Sequence, residues 1–320
     1  MKRIFALALI LLSSLAFCQE YHFKPLWKKG EQKKISITQV EEEFEDGELI
    51  SSETTYNDAS IKVVKDNKDT YTLEILMENQ ALKAAIELYD KLGDELTDGK
   101  DLKLLYSVNK ETAEAELLNW KEAQKFMHNS IDQITAILDE KVPDIAPFMG
   151  MVFLPIKEIY KSKENIEASM EENIGFILTP FNKDFKLGEP ISTTEVGDNP
   201  FNPMSEMSFT TNLTLKSVDE ANKICTLQQE IEFDLSAFNQ MIKDMMLKMT
   251  EAFGVDDSAR AKQKKDLEDF KMDIETKEVL SFNYQSTWVN KVVNTYTISG
   301  KDPKSGLETR KEVKTTVEVI

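Results

Sequence analysis

Histidine and cysteine, the side chains that most often act as catalytic bases and nucleophiles, are scarce in this sequence. It contains two histidines, His22 and His128, and two cysteines. Ser-His-Asp and Cys-His arrangements both require a histidine beside the nucleophile. His22 lies near the amino end, His128 is expected on a surface or boundary face of a helix, and Cys225 shares the alternation of Leu227 and Ile231, which points it into the core. We therefore predict no catalytic residue.

Carboxylates are abundant, with 57 Asp and Glu residues in the chain. At that frequency, pairs such as Asp98/Asp101 and Asp256/Asp257 arise by composition, and none lies among aromatic residues as in a glycosidase. Residues 94–101 have the residue types of a calcium loop without its spacing. No zinc, phosphate-loop, dinucleotide or nucleophile-elbow motif occurs. We predict a non-enzymatic protein with no metal and no cofactor, and keep a hydrolase with an acidic site as an alternative.

Methionine is the one unusual ingredient, with 13 residues in the chain. Met241, Met245 and Met249 recur at every fourth position, which would place them on one face of a helix. Thioethers can hold a soft cation such as Cu(I), but the preferred interpretation is an irregular core or an adaptable apolar groove. The residues predicted to line an apolar ligand cavity are Phe148, Met149, Met151, Phe153, Met241, Met245 and Met249.

Residues 1–18 have the pattern of a secretory signal peptide. Two basic residues precede an apolar run, which ends in small residues before Cys18. Cleavage after Cys18 would make Gln19 the first residue; the alternative is lipidation of Cys18, for which the preceding Phe17 is a poor match. We predict a periplasmic or secreted protein, with a lipid-anchored outer-membrane form as the alternative. After cleavage Cys225 remains alone, so no internal disulfide can form.

Charge and hydropathy exclude two classes of partner. The formal net charge of −18 repels nucleic acid and anionic membrane faces. No stretch after the signal is long and apolar enough for a transmembrane helix, because the closest, residues 145–159, contains Pro147 and Pro155. The predicted partners are a hydrophobic small molecule or another envelope protein, and the oligomeric state is left open.

Alternating apolar residues predict antiparallel strands. Tyr71, Leu73, Ile75 and Met77 alternate with polar residues, and the polar run 65–69 before them predicts a hairpin loop. A similar hairpin recurs at residues 213–235. Residues 48–56 and 309–320 are predicted to be edge strands.

Three ordered matches indicate that the chain repeats one module. They pair Trp27, Lys28 and Gly30 with Phe185, Lys186 and Gly188; Leu82, Ala85, Ile86 and Tyr89 with Phe238, Met241, Ile242 and Met245; and Tyr106, Val108 and Asn109 with Phe270, Met272 and Asp273. The alternative is that any two β-rich segments alternate alike. After the signal peptide, we predict a first β-rich unit at 19–176 with a helical insert at 119–175, and a related second unit at 177–320.

These elements predict an α+β fold. Long curved antiparallel sheets from two related halves would pack with helices into a half-barrel-like shape. Residues 145–156 are too apolar to face water, so they are expected to fill the core or plug a ligand cavity on the concave side.

Three runs of residues carry a resemblance to a family. They are Phe-Cys-Gln at 17–19, Trp-Lys-Lys-Gly at 27–30, and Tyr-Ser-Val-Asn-Lys-Glu-Thr-Ala-Glu at 106–114, which continues to Asn-Trp-Lys-Glu at 119–122. In these runs the chain resembles a group of functionally uncharacterised exported β-rich proteins of the Bacteroidota, which implies an envelope location without a particular activity. By fold analogy it is similar to the periplasmic lipoprotein carriers, which hold acyl chains in a half-barrel.

The predicted function is that of an exported non-enzymatic envelope protein. It would bind an apolar or lipid-like ligand in a sheet concavity. The alternative is a structural or protein-interaction component of the cell envelope that uses exposed sheet edges.

Overall fold

The computed structural model describes residues 19–77, 102–141, 157, 160–199, 202–236, 239–240, 243, 271–301 and 306–320. The strands are β1 (Glu20–His22), β2 (Gln32–Glu45), β3 (Glu48–Asp66), β4 (Thr70–Met77), β5 (Leu102–Asn109), β6 (Ala115–Leu117), β7 (Asp184–Lys186), β8 (Pro190–Asn199), β9 (Asn202–Asp219), β10 (Ile224–Phe233), β11 (Met272–Asn283), β12 (Val289–Lys301) and β13 (Glu308–Val319). The helices are α1 (Trp120–Lys141) and α2 (Lys163–Leu178).

One antiparallel sheet of 11 strands dominates the structure, and it does not close on itself. Its strand order is β6-β5-β4-β3-β2-β13-β12-β11-β10-β9-β8. Strands β2 to β6 therefore form one meander and strands β8 to β12 a second, and both progress across the sheet in the same direction. β1 and β7 pair separately as a two-stranded sheet.

The predicted α+β class is wrong, because the protein is mainly β, with 60% strand and 17% helix. One strand is also longer than the sequence indicated. β3 is one strand of 19 residues, where the sequence indicated two strands that meet near Tyr56. Asn57 and Asp58 look like turn residues, but both remain in register with β2, so the strand continues through them.

The position of β13 corrects a second prediction. Residues 309–320 were expected at an edge, but β13 pairs with β12 on one side and with β2 on the other, which joins the two meanders. Alternation of valines with Lys, Thr and Glu therefore marks a central strand here. The other predicted edge, residues 48–56, pairs with β2, and β4 pairs with β3 only from Ala59 onward.

The core lies on one face of the sheet, called the inner face below. The cross-strand pairs Leu73–Tyr106 and Leu227–Leu280 belong to this face, and these four side chains are 0–3% exposed. Helix α2 packs on the same face through a row of buried residues at helical spacing that ends in Phe181. The members of that row are Ile166, Met170, Ile174, Ile177 and Phe181.

Hydrogen bonds fix where α2 begins and how it contacts the sheet. The Ser162 side chain accepts a hydrogen bond from the Asn165 backbone N–H at 3.1 Å, which is an N-cap. The Tyr106 hydroxyl donates to the Met170 carbonyl oxygen at 2.8 Å. Helix α2 is thereby held across the inner face, where it positions one wall of the cleft described next.

Candidate functional site

Two turns with the same hydrogen bonds follow β5 and β11. In the first turn, residues 109–114, the Asn109 side-chain oxygen accepts from the backbone N–H groups of Glu111 at 2.8 Å and Thr112 at 3.1 Å. Ala113 donates to the Asn109 carbonyl at 2.9 Å and has φ of 57°. The Asn109 N–H donates to the Glu114 carbonyl at 2.9 Å.

The second turn, residues 283–288, repeats every one of these contacts. The Asn283 side-chain oxygen accepts from Gln285 N–H at 3.0 Å and Ser286 N–H at 2.9 Å. Thr287 donates to the Asn283 carbonyl at 2.7 Å and has φ of 59°. The Asn283 N–H donates to the Trp288 carbonyl at 3.0 Å. Ala113 and Glu114 of the first turn therefore occupy the places of Thr287 and Trp288.

Two chain segments, residues 23–31 and 181–189, also share their geometry and are called the lead segments. In each, a glycine with positive φ donates its N–H to a strand of the adjacent meander. Gly30 (φ 90°) donates to the Val63 carbonyl at 2.8 Å, and Gly188 (φ 79°) donates to the Leu215 carbonyl at 2.9 Å. These contacts agree with the predicted match of Trp27 to Phe185. That the two units are related throughout remains a prediction.

The first lead segment packs tightly against the second turn, and we call this contact the closed junction. The Leu26 N–H donates to Thr287 Oγ1 at 2.8 Å, and the Trp27 indole N–H donates to the Thr287 carbonyl at 3.3 Å. The Trp288 indole N–H donates to Glu31 Oε2 at 3.0 Å. The ring centroids of Trp27 and Trp288 are 5.3 Å apart, and both side chains are buried.

The second lead segment faces the first turn across a cleft of about 700 Å³, and we call this place the open junction. Apolar side chains border it: Leu117, Ile174 and Phe181 lie beneath its surface and are 0–2% exposed, and Leu178 is partly exposed. Its polar lining comes from the first turn, from α2 and from the residues after α2. The remaining residues of the lining are Tyr106, Thr112, Ala113, Glu114, Ala115, Glu167, Ala168, Gly175, Thr179, Asn182 and Lys183.

Lys183 is a half-buried cation in the cleft. Its Nζ donates to the Thr179 carbonyl oxygen at 3.4 Å, near the long limit for such a bond. Burial lowers the pKa of the Lys183 ammonium, because the charged form is less well solvated. Within the described part of the chain, no carboxylate forms an ion pair with it.

The two carboxylates of the cleft are already engaged. Glu167 Oε1 accepts from the Leu117 N–H at 3.2 Å and lies 3.6 Å from Lys163 Nζ. Glu114 Oε2 accepts from the Thr112 hydroxyl at 2.9 Å. The arrangement combines apolar walls with one unneutralised ammonium, which suits binding better than acid–base chemistry.

A carboxyl group also lies on the inner face of the second meander. Glu278 pairs with Asn294 across the strands, and burial raises the pKa of this carboxyl while the Asn294 hydrogen bond opposes the shift. Leu104 holds the corresponding place in the first meander, since it pairs with Ile75 as Glu278 pairs with Gln229. Leu104 is fully buried, so the inner face is apolar at this level in one meander and polar in the other.

The predicted ligand-lining residues lie outside the described residues. This holds for all seven of them: Phe148, Met149, Met151, Phe153, Met241, Met245 and Met249. Residues 145–156 and the signal peptide also lie outside the described residues. The prediction for these residues is therefore not tested, and the described lining of the cleft at the open junction is made of other residues.

The structure does place the histidines and the remaining cysteine. Cys225 is fully buried, and burial raises the pKa of its thiol to about 11, which confirms the core position. His128 is half-buried on α1, and its Nε2 has no hydrogen-bond partner among the residues that the structure describes. His22, expected in a fraying terminus, lies in β1 and contacts Asp184 Oδ1 at 2.9 Å. No group of three or more potential metal ligands occurs among the described residues.

Sequence reasoning missed the cleft and Lys183. The sequence alignment matched Tyr106 with Phe270. In the structure the position that corresponds to Tyr106 in the second meander is Leu280, because Tyr106 lies opposite Leu73 and Leu280 lies opposite Leu227. The sequence did contain a signal for the two equivalent turns, because β5 and β11 both end in an asparagine, Asn109 and Asn283. An alignment through Asn109 and Asn283 would have set Ala113 against Thr287 and pointed to the missing side chains.

Comparisons with known proteins show no family. No protein-family model and no curated protein matches the chain. Among solved structures, the chain is similar to a protein of Bacteroides fragilis described as exported and YmcC-like in fold, with 8% identity over 91% of this chain and 97% of that one, at a TM-score of 0.23. It is also similar to Ail, the attachment invasion locus protein of Yersinia pestis, with 8% identity over 92% of this chain and 100% of that one, at a TM-score of 0.15. TM-scores this low carry no argument about fold or function. Of the helices in the described residues, none is long and apolar enough to cross a lipid bilayer.

Proposed function

We propose that this chain is an exported, non-enzymatic envelope protein that binds an apolar or lipid-like ligand in the cleft at the open junction. Export rests on the signal pattern of residues 1–18. Ligand binding rests on the cleft itself. A volume of about 700 Å³ falls within the range of small-molecule sites, which are mostly apolar with a few placed polar groups.

The observation that carries the proposal is the difference between the two junctions. The same turn meets a corresponding lead segment twice, and Thr287 with Trp288 fills the contact once. In the other contact Ala113 and Glu114 leave the space open. Protein interiors are close-packed, and side chains such as Thr287 and Trp288 could have closed this contact too. A cleft that remains open at this place supports a binding role.

The proposal moves the site away from the predicted concavity. The expected lining came from residues 145–156 and from a methionine stripe, and both lie outside the described residues. In the cleft the apolar surface comes from α2 and β6. Helix α2 is anchored by the Tyr106–Met170 hydrogen bond, so this wall is preformed.

A titration with a fluorescent apolar probe tests the proposal. Delipidated protein starting at Gln19 is expected to bind the neutral probe N-phenyl-1-naphthylamine. The substitution Glu114→Trp, which copies Trp288 into the first turn, is expected to weaken binding strongly, because the indole would occupy part of the cleft. The control Glu114→Gln removes the charge but not the space and is expected to bind normally. A flat titration with the wild type, or full binding by Glu114→Trp, contradicts the proposal.

A second candidate function, protein binding at a sheet edge, is favoured by residues 48–58 of β3. This part pairs with β2 on one side only among the described residues. Leu49, Ile50 and Tyr56 are 53–74% exposed, which is unusual for large apolar side chains on one strand. Stable co-purification of a partner that Tyr56→Lys disrupts would favour this function over ligand binding.

A further inference from the structure

We propose that Lys183 binds the headgroup of a long-chain carboxylate whose tail lies in the cleft, so that the protein selects a monoanionic amphiphile over a neutral one. This rests on the proposed function and names the ligand class of that same site. Lys183 is the one basic residue in the described lining of the cleft, and the proposal gives it the role of binding the ligand headgroup.

The first argument is the state of the Lys183 ammonium. An ammonium has three donors, and Lys183 uses one of them, on the Thr179 carbonyl at 3.4 Å. A half-buried ammonium that lacks a carboxylate partner is costly, and the lowered pKa of Lys183 reflects this desolvation. A carboxylate in the cleft would supply the missing countercharge.

The second argument separates recognition from helix capping. Lysines after a helix commonly hydrogen-bond its last carbonyl groups, and the Thr179 contact is of that kind. A lysine with only that role keeps its ammonium in water, whereas Lys183 is turned into the lining of the cleft beside Phe181 and Asn182. Capping thus accounts for one of the three donors of a side chain that also lines the cleft.

The third argument sets the charge of the headgroup. Glu114 and Glu167 also line the cleft and remain held by Thr112 and by Leu117 and Lys163. Their negative charge disfavours a second anionic charge on the ligand. One ammonium opposed by two engaged carboxylates matches a carboxylate better than a phosphate dianion.

Competition against the neutral probe N-phenyl-1-naphthylamine tests the inference. Dodecanoate and dodecanol share a tail and differ in the headgroup, and dodecyl phosphate adds the second charge. Dodecanoate is expected to displace the probe from the wild type at a concentration about tenfold lower than dodecanol or dodecyl phosphate, a preference of ~1.4 kcal/mol. The preference is expected to fall as pH rises through the Lys183 pKa, below the usual range for lysine.

Two variants at Lys183 make the result specific. Lys183→Met keeps the length of the side chain and is expected to equalise dodecanoate and dodecanol while binding the neutral probe as the wild type does. Lys183→Arg is expected to retain the preference. Equal displacement by acid and alcohol in the wild type, or a preference that survives in Lys183→Met, overturns the headgroup assignment while the proposed function stands. Absence of probe binding overturns both.

Discussion

The second turn and the first turn make the same hydrogen bonds, but the two junctions in which they lie are built differently. At the closed junction, Trp27 and Trp288 stack and Thr287 bonds Leu26, so the contact is part of the core. At the open junction, Ala113 and Glu114 stand in those places beside a cleft of about 700 Å³. The comparison teaches that one backbone arrangement can belong to the core at one place and border a cleft at another, depending on two side chains.

The largest effect is expected at the closed junction. Trp27→Ala removes a side chain that is 2% exposed and contacts the rings of Tyr71, Phe181 and Trp288. A loss of about 3–5 kcal/mol is expected from the cavity left behind, measured by urea unfolding. Leu26→Ala is the control, because that side chain is 57% exposed. Equal losses for the two variants would show that the closed junction is not part of the core.

A smaller loss is expected for Thr287→Ala. The change leaves the Leu26 N–H without its acceptor at 2.8 Å, and the loss of a hydrogen bond at such a part-buried site costs about 0.5–1.5 kcal/mol. Thr287→Ser keeps the hydroxyl and is the matched control for the same unfolding measurement. If serine and alanine destabilise equally, the hydrogen bond is not what holds the lead segment.

The two turn asparagines allow a direct comparison. Asn109→Ala and Asn283→Ala each remove an oxygen that accepts two backbone N–H groups. Each substitution is expected to cost about 1 kcal/mol, with the larger loss for Asn283 because Thr287 is 1% exposed and Ala113 is 8% exposed. A clearly larger loss for Asn109 would contradict the view that the open junction contributes less to stability.

The smallest effect is expected on the inner face of the second meander. Because the folded-state pKa of Glu278 is raised, the unfolded chain loses this proton first, and stability falls as pH rises above the ordinary value of 4.5. Glu278→Gln is expected to match the wild type at lower pH and to gain in melting temperature as pH increases. Glu278→Leu copies Leu104 and is expected to gain further. The exposed Glu275→Gln is the control, and an equal gain there would show that general charge reduction is responsible.

Local patterns predicted the strands and the buried positions. The alternation from Tyr71 to Met77 is β4 in the structure, and the parity argument placed Cys225 correctly in the core. These predictions succeeded because side-chain alternation in a strand depends on nearest neighbours along the chain. Gly30 and Gly188, which follow Trp27 and Phe185 in the chain, both have positive φ, but the internal repeat itself stays a prediction.

Features that depend on distant pairing were not predictable in this way. The sequence of β13 resembles an edge strand, and only its register with β2 and β12 shows that it is central. Lys183 lines the cleft because residues 181–183 approach residues 112–115 in space. A local sequence pattern does not show that these two segments are close. The length of β3 was missed for the same reason, because Asn57, a residue type common in turns, pairs with Ile37 of β2.

The central position of β13 also has a consequence for a truncated chain. Among the described strands, residues 308–319 come last in the chain, and they supply the pairing partner of both β2 and β12. A chain that lacks these residues would expose the unpaired backbone of two long strands, and such edges invite pairing between neighbouring chains. Loss of β13 is therefore expected to cause aggregation instead of a small local defect.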